Sequence, residues 1–149
     1  MKPRVDYYNV APEALNIMME MEKYTKTKTT GIDRSLRELI KIRASQINGC
    51  AFCLNMHTAD ARKMGVPEQK IHCVSVWDEC DFYTEAEKAA LELTEHVTLI
   101  PSKRVPDELY QRVRAHYDEK QYVDLIIIMN QINSWNRISI AMGNRATEQ

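Results

Sequence analysis

The sequence predicts an all-α protein, a single domain over residues 1–149 built as a bundle of about six or seven helices. Glycine and proline, which interrupt helices, are scarce, at 4 and 5 residues. No long stretch alternates apolar with polar residues, as a half-buried β-strand does. A chain of 149 residues, of which 44% are hydrophobic, is long enough to bury a core as one domain.

The first two predicted helices precede a cysteine-containing segment. "APEALNIMMEMEKYTKTK" carries apolar side chains at helical spacing and has Pro12 in its first turn, where proline is tolerated. "DRSLRELIKIRASQIN" starts at Asp33, a residue type that caps helix N-termini, and Gly49 interrupts its pattern. One apolar stripe runs along this second helix: Leu36, Leu39, Ile40, Ala44 and Ile47.

Three further helices are predicted in the middle of the chain. The first runs from about Cys50 to Met64 and stops at "GVP", where glycine and proline end a helix. "PEQKIHCVSVW" is predicted to form a short helix. "TEAEKAALELTEHVTLI" opens with Thr84 and Glu87, which have the spacing of a capping box.

Two helices complete the predicted bundle. "PDELYQRVRAHY" starts at Pro106, and "EKQYVDLIIIMNQINSWNRISIAM" is apolar over most of its circumference. A helix of the latter kind lies either in the centre of the core or at a subunit interface.

Charge and hydropathy exclude several classes of partner and location. The net charge of −1 argues against nucleic acid as a partner. The longest apolar run, "LIIIM", is far too short to span a membrane, and "MKPRVDYYNV" lacks the apolar core of a secretory signal. We therefore expect a cytoplasmic protein without membrane contact. Because thiols stay reduced there, a close cysteine pair predicts a catalytic or metal-binding site more than a structural disulfide.

The segment "INGCAFCLNMH" places Cys50, Cys53 and His57 on one face of a helix, at positions i, i+3 and i+7. A helix that starts near Gly49 brings both sulfurs to its positive end, which favours the thiolate form. His57 lies one turn from Cys53 and can accept its proton, so Cys53 is predicted to be the activated nucleophile. Cys50, in the first turn, is expected to be more exposed and able to close a disulfide on Cys53.

Glu38 of the preceding helix has two interpretations. It shares a face with Ile42 and Ser45, opposite the main apolar stripe. In the first interpretation Glu38 is an ordinary solvated charge. In the second, this helix is covered on both faces, and Glu38 points at the Cys–His helix, where a carboxylate can orient the histidine or relay its proton.

The segment "ELIKIRASQINGCAFCLNMHTADARKMG" resembles the motif of the AhpD-like alkylhydroperoxidases, within the carboxymuconolactone decarboxylase superfamily. The later segments "GVPEQKIHCVSVW", "VPDELY" and "VDLIIIMNQINSWNRISIA" are also similar to helices of small members of that group. The positions that match the motif are Glu38, Ser45, Asn48, Cys50, Cys53 and His57.

This resemblance implies an AhpD-like helical domain, assembled as a homotrimer or homohexamer, with the redox motif inside residues 38–57. It implies a thiol-dependent peroxidase that uses no haem, flavin or metal. Cys53 takes the role of the peroxidatic thiol and Cys50 that of the resolving thiol, and the two form the redox disulfide. His57 and Glu38 form a proton relay, and a dithiol protein, lipoyl or thioredoxin-like, is the reductant.

Three other functions are compatible with parts of the pattern. The same dithiol can serve disulfide exchange with little peroxidase activity. Lactone decarboxylation is the activity of other superfamily members, which generally lack the CxxC pair. Zinc binding needs a fourth ligand beyond the two cysteines and the histidine, and no second CxxC or HxxxH follows. Cys73 and Cys80 are interpreted as buried thiols.

Overall fold

The computed structural model describes residues 3–148, in which every regular element is helical. The α-helices are α1 (Tyr7–Val10), α2 (Pro12–Thr27), α3 (Arg34–Asn48), α4 (Ala51–Lys63), α5 (Glu68–Cys73), α6 (Glu85–Thr98), α7 (Ile100–Lys103), α8 (Asp107–Arg114) and α9 (Glu119–Met142). A 3₁₀ helix, Val74–Glu79, follows α5 directly. The prediction of an all-α chain is confirmed.

The predicted number of six or seven helices is wrong, because nine α-helices lie within residues 3–148. The two helices that were not predicted, α1 and α7, have four residues each. A single turn is too short to show apolar periodicity, so the sequence carries no signal for it. The predicted helix "PEQKIHCVSVW" also divides into α5 and the 3₁₀ helix, which is kinked at Val76.

Several helix ends follow the local signals of the sequence. The Asp33 carboxylate accepts a hydrogen bond from the backbone N–H of Ser35 and caps α3. Thr84 and Glu87 form the predicted capping box at the start of α6. At the end of α3, Gly49 adopts φ 68°, a conformation open to glycine at little cost, and the chain turns into α4.

Helix α3 lies in the centre of the domain and packs against α4, α6 and α9. On one side, Leu36 and Ile40 join a cluster with apolar residues of α6, α8 and α9. On the other side, Leu39 and Ile42 join a cluster with residues of α4, α5 and α6. Both faces of α3 are therefore covered, and its polar residues Glu38, Lys41 and Ser45 are held away from solvent.

One face of helix α9 lies in the core, which is one of the two locations predicted for this helix. Leu125, Ile128, Met129 and Ile132 are fully buried. No helix within residues 3–148 combines the length and the apolar character needed to cross a membrane.

Candidate active site

The turn between α3 and α4 positions the two cysteines of the CxxC motif. Cys50 is the N-cap of α4, and its sulfur accepts a hydrogen bond of 3.3 Å from the backbone N–H of Cys53. The two sulfurs lie against each other as in a disulfide, with Cα atoms 5.4 Å apart. Both sulfurs therefore lie at the positive end of α4, where thiolate is stabilised.

Both cysteines are buried, each with 2% of its surface exposed. The expectation that Cys50 is the more exposed of the two is wrong. The reason is tertiary packing: Cys50 and Cys53 form a small cluster with Ala44 of α3 and Ile132 of α9. The α9 helix covers the first turn of α4, which the sequence spacing alone could not show.

His57 and Glu38 form a buried pair across α3 and α4. His57 Nδ1 lies 2.8 Å from Glu38 Oε2, and each residue is 6% exposed. Glu38 therefore points at the Cys–His helix, and its interpretation as a solvated charge is wrong. His57 lies one helical turn beyond Cys53 on α4, so the order along the site is carboxylate, imidazole, sulfur.

The electrostatics of this pair decide which imidazole nitrogen is available. Burial acts to raise the pKa of Glu38, but the hydrogen bond from His57 and the charge of Lys41 outweigh it and lower that pKa below 4.5. An ionised carboxylate only accepts hydrogen bonds, so Nδ1 of His57 carries the hydrogen. Nε2 of His57 is then the atom that can take a proton from a thiol.

Lys41 is a site residue that sequence reasoning missed. It is only 3% exposed, and its Nζ lies 3.6 Å from Glu38 Oε1 and 3.5 Å from Glu22 Oε1. Gln131 Nε2 of α9 donates to the second oxygen of Glu22. One signal in the sequence indicates that Lys41 is buried: it stands between two isoleucines, three positions after Glu38. The other face of the same helix is also apolar.

An amide network joins the end of α3 to α9 beside the cysteines. Asn48 Nδ2 donates to Asn133 Oδ1 and to Asn136 Oδ1, both at 2.9 Å. Asn136 Nδ2 donates to Ser45 Oγ at 3.0 Å. The network gives Ser45 and Asn48 a structural role, because it fixes the turn that carries Cys50. Asn136 was missed, although polar residues inside an apolar helix were the available signal.

Comparison with known protein families places the chain in one of them. Residues 12–96 match the model of the Carboxymuconolactone decarboxylase family, which covers more than half of the chain. The chain belongs to the carboxymuconolactone decarboxylase family. The predicted resemblance to AhpD-like members of this superfamily is confirmed.

Several known proteins are similar to this chain in sequence, in fold or in both. It is 70% identical to the uncharacterized protein YdfG of Bacillus subtilis (strain 168), over the full length of both. A crystal structure of a protein of unknown function from Agrobacterium tumefaciens, suggested to be the antioxidant defence protein AhpD, has 37% identity and a TM-score of 0.93. That match covers 99% of this chain and 100% of the other. The debrominase Bmp8 has 21% identity and a TM-score of 0.80, over 93% of this chain and 74% of its own, which shows a shared fold alone.

A second set of possible metal ligands shares Glu38 and His57 with the family motif. Ligand atoms of Glu38, His57 and Asp60 lie within 4.8 Å of one another, the only such group found within residues 3–148. This group differs from the cysteine and histidine set that zinc binding would use. The buried ammonium of Lys41 lies 3.6 Å from the same carboxylate and opposes a cation there.

The other two cysteines of this family member lie outside the motif region. Cys80 is buried and Cys73 is half-buried, and their side chains contact each other. The Cys80 thiol donates to the carbonyl of Val76 at 3.4 Å. Burial, followed by the neighbouring Cys73, raises the pKa of Cys80. A buried thiol of this kind is inert in comparison with one beside a base.

Proposed function

We propose that this protein is a thiol-dependent peroxidase that reduces peroxides through a Cys50–Cys53 dithiol/disulfide cycle. The observation that carries the proposal is the buried 2.8 Å contact between His57 Nδ1 and Glu38, one helical turn from Cys53. It supplies a proton acceptor and a carboxylate that orients it, next to sulfurs at a helix N-terminus.

The cycle begins with the reduced protein. Cys53 gives its proton to Nε2 of His57, and the thiolate attacks one oxygen of the peroxide. The O–O bond breaks, the leaving oxygen takes the proton from His57, and Cys53 becomes a sulfenic acid. Cys50 then attacks the sulfenic sulfur, water leaves, and the disulfide forms. A dithiol reductant, lipoyl or thioredoxin-like, returns two electrons and two protons.

Glu38 acts through His57 in this proposal and does not touch the peroxide. Its negative charge holds the Nδ1 hydrogen and stabilises the imidazolium that forms when Cys53 loses its proton. The hydrogen bond from His57 and then the charge of Lys41 keep Glu38 ionised despite its burial. The similarity to the Agrobacterium protein with a suggested antioxidant role supports the peroxide as oxidant.

We propose a homotrimer or homohexamer as the assembled form. Large apolar side chains are exposed on the N-terminal helices, at Val10 and Ile17, and on α9, at Val123. Burial of such side chains against a second copy gains roughly 25 cal/mol per Å² of apolar surface. Sedimentation equilibrium tests the assembly, and a monomer at micromolar concentration contradicts it.

Peroxide consumption with an added dithiol tests the proposed cycle. The wild type is expected to turn over many equivalents of an alkyl hydroperoxide. Without the dithiol, a Cys50→Ser variant is expected to consume one peroxide per chain and to retain Cys53 as a sulfenic acid, because no second thiol condenses with it. Intact mass with a sulfenic-acid trap measures the product. Wild-type protein that exchanges disulfides with the dithiol but consumes no peroxide contradicts the peroxidase and favours disulfide exchange.

A further inference from the structure

We propose that a cleft beside Cys50 binds the carboxylate of a small dithiol reductant, and that Arg4 and Arg145 recognise it. The inference rests on the proposed function and adds the chemical class of the reductant and the side from which it reaches the disulfide. It assigns a binding role to the two chain tails, which lie outside the redox motif.

The cleft has a volume of about 260 Å³ and opens where the start of α4 meets the end of α9. Gly49, Cys50 and Ala51 form one wall, and Ile140 and Gly143 form another. Arg4, Asn144 and Arg145 come from the two tails. Cys53 does not line the cleft, so among the described residues Cys50 is the sulfur that a molecule in the cleft meets.

The N-terminal tail is attached at a defined place beside this cleft. The backbone N–H of Arg4 donates to the carbonyl of Met142 at 2.8 Å, and its Nη1 donates to the carbonyl of Ala141 at 3.1 Å. The Arg4 side chain also packs against Gly143. The remaining N–H groups of Arg4 are therefore held near the cleft by contacts with the end of α9.

The cleft carries positive charge that the described part of the chain does not neutralise. No acidic residue of positions 3–148 lines it. Four other arginines form ion pairs within that range: Arg43, Arg62, Arg112 and Arg114. Neither Arg4 nor Arg145 forms one there. The overall net charge is −1, so this positive cleft is a local feature that selects an anionic ligand.

The direction of thiol–disulfide exchange fits attack at Cys50. A thiolate that attacks Cys50 forms a mixed disulfide with it and expels Cys53 as thiolate. Cys53 is the better leaving group, because His57 one turn away stabilises its anion. The second thiol of the reductant then attacks its own bound sulfur, releases Cys50 as thiol, and leaves as an intramolecular disulfide. Two electrons pass from the reductant to the protein.

The size of the cleft restricts the reductant. It is smaller than the roughly 300–1,000 Å³ of pockets that enclose drug-sized ligands. A short flexible dithiol with a carboxylate fits it, with its thiol at Cys50 and its carboxylate between the arginines.

Dihydrolipoate and dihydrolipoamide test the proposal, because they have the same dithiol. Dihydrolipoate ends in a carboxylate, and dihydrolipoamide ends in a neutral amide. The oxidised protein is mixed with each compound, and the rate of Cys50–Cys53 reduction is followed by timed alkylation and mass spectrometry. At low ionic strength the wild type is expected to react roughly fivefold faster with dihydrolipoate. The ratio of the two rates is expected to fall towards one at high salt.

Two variants test whether Arg4 and Arg145 cause the preference for dihydrolipoate. In Arg4→Gln/Arg145→Gln the ratio is expected to be close to one, because dihydrolipoate loses its advantage over dihydrolipoamide; continued reduction by dihydrolipoamide reports that the disulfide is still accessible. Arg112→Gln is the matched control, because Arg112 pairs with Glu92 and lines a different cavity, and it is expected to keep the wild-type ratio.

Three outcomes overturn the inference. Equal rates for the two compounds in the wild type exclude recognition of the carboxylate. A preference that survives in the double variant places recognition elsewhere. If neither compound reduces the disulfide, the redox cycle itself fails and the cleft loses its role with it.

Discussion

The protein contains two pairs of neighbouring cysteines in opposite surroundings. Cys50 and Cys53 lie at the N-terminal end of α4, which is the positive end of the helix. Cys73 is both the last residue of α5 and the N-cap of the 3₁₀ helix, and Cys80 is the C-cap of that 3₁₀ helix. Helix position therefore favours a thiolate at the first pair and gives no such support to Cys80 in the second.

The neighbours of the two pairs strengthen the contrast. Cys53 has His57 one turn away, and His57 is backed by an ionised Glu38. Cys80 is surrounded by groups that oppose a negative charge: burial, Cys73, Asp78 and Glu79 all raise its pKa. We therefore expect the surroundings of each cysteine pair to set its reactivity, and contact between two thiols not to be sufficient.

The largest effect is expected from the loss of the activated thiol. Cys53→Ser should lower peroxide turnover by at least about 10³-fold, because the nucleophile is removed. Steady-state peroxide consumption measures it. Cys80→Ser, which removes a thiol of the other pair, is the matched control. Undiminished turnover in Cys53→Ser contradicts the assignment.

The proton relay is expected to have the next largest effect. His57→Ala should slow the attack of Cys53 on peroxide by about 10²-fold, the scale of general base catalysis, and Glu38→Gln by less. Single-turnover oxidation of Cys53 measures both. His96→Ala is the control, because His96 is a half-buried histidine whose Nδ1 contacts the carbonyl of Arg104 and which lies outside the motif. Equal rates in the His57 and His96 variants exclude the relay.

Lys41 tests the electrostatic support of the relay. Loss of its charge in Lys41→Met should raise the pKa of Glu38, so the carboxylate becomes protonated at a higher pH. The acidic limb of the profile for Cys53 oxidation against pH should then move up by roughly one unit. Lys41→Arg keeps the charge and should retain the wild-type profile. If the methionine and arginine variants share one profile, the role of Lys41 is only structural.

The same residues predict how stability depends on pH. The folded-state pKa of Glu38 is lowered, so ionised Glu38 stabilises the fold above its usual pKa of 4.5. This contribution is lost as the pH falls through the lower folded value. Urea unfolding at several acidic pH values should show a smaller loss of stability in Glu38→Gln than in the wild type. A parallel loss in both proteins contradicts the lowered pKa.

The smallest effect is expected at the second cysteine pair. Cys80→Ala should change peroxide turnover less than twofold and lower the free energy of unfolding by about 1 kcal/mol, through lost packing. Turnover and urea unfolding of one preparation measure both quantities. A large loss of turnover with unchanged stability would show that the second pair takes part in the cycle.

The sequence predicted those parts of the fold that have periodic or capping signals. Helices α2, α3, α6 and α9 were predicted close to their observed bounds, because each carries at least three turns of patterned residues. The one-turn helices α1 and α7 were not predicted, because a single turn is stabilised by tertiary contacts and has no pattern of its own.

For the site too, the sequence predicted the features that depend on spacing along one helix and not those that depend on packing between helices. The order of Cys50, Cys53 and His57 along one helix follows from spacing, so it was available from the sequence. The exposure of Cys50, the direction of Glu38 and the burial of Lys41 depend on how α3, α4 and α9 pack together, which spacing does not specify. Charged residues on α3 look like a solvated face until both sides of that helix are known to be covered.

The difference between the two cysteine pairs can be measured in one time course. The fully reduced protein is treated with one equivalent of an alkyl hydroperoxide, alkylated at intervals and digested with trypsin. Peptide 44–62 then carries Cys50 and Cys53, and peptide 71–88 carries Cys73 and Cys80. The account predicts a disulfide in the first peptide at least about 100-fold sooner than any oxidation of the second. Equal rates, or earlier oxidation of peptide 71–88, would contradict it.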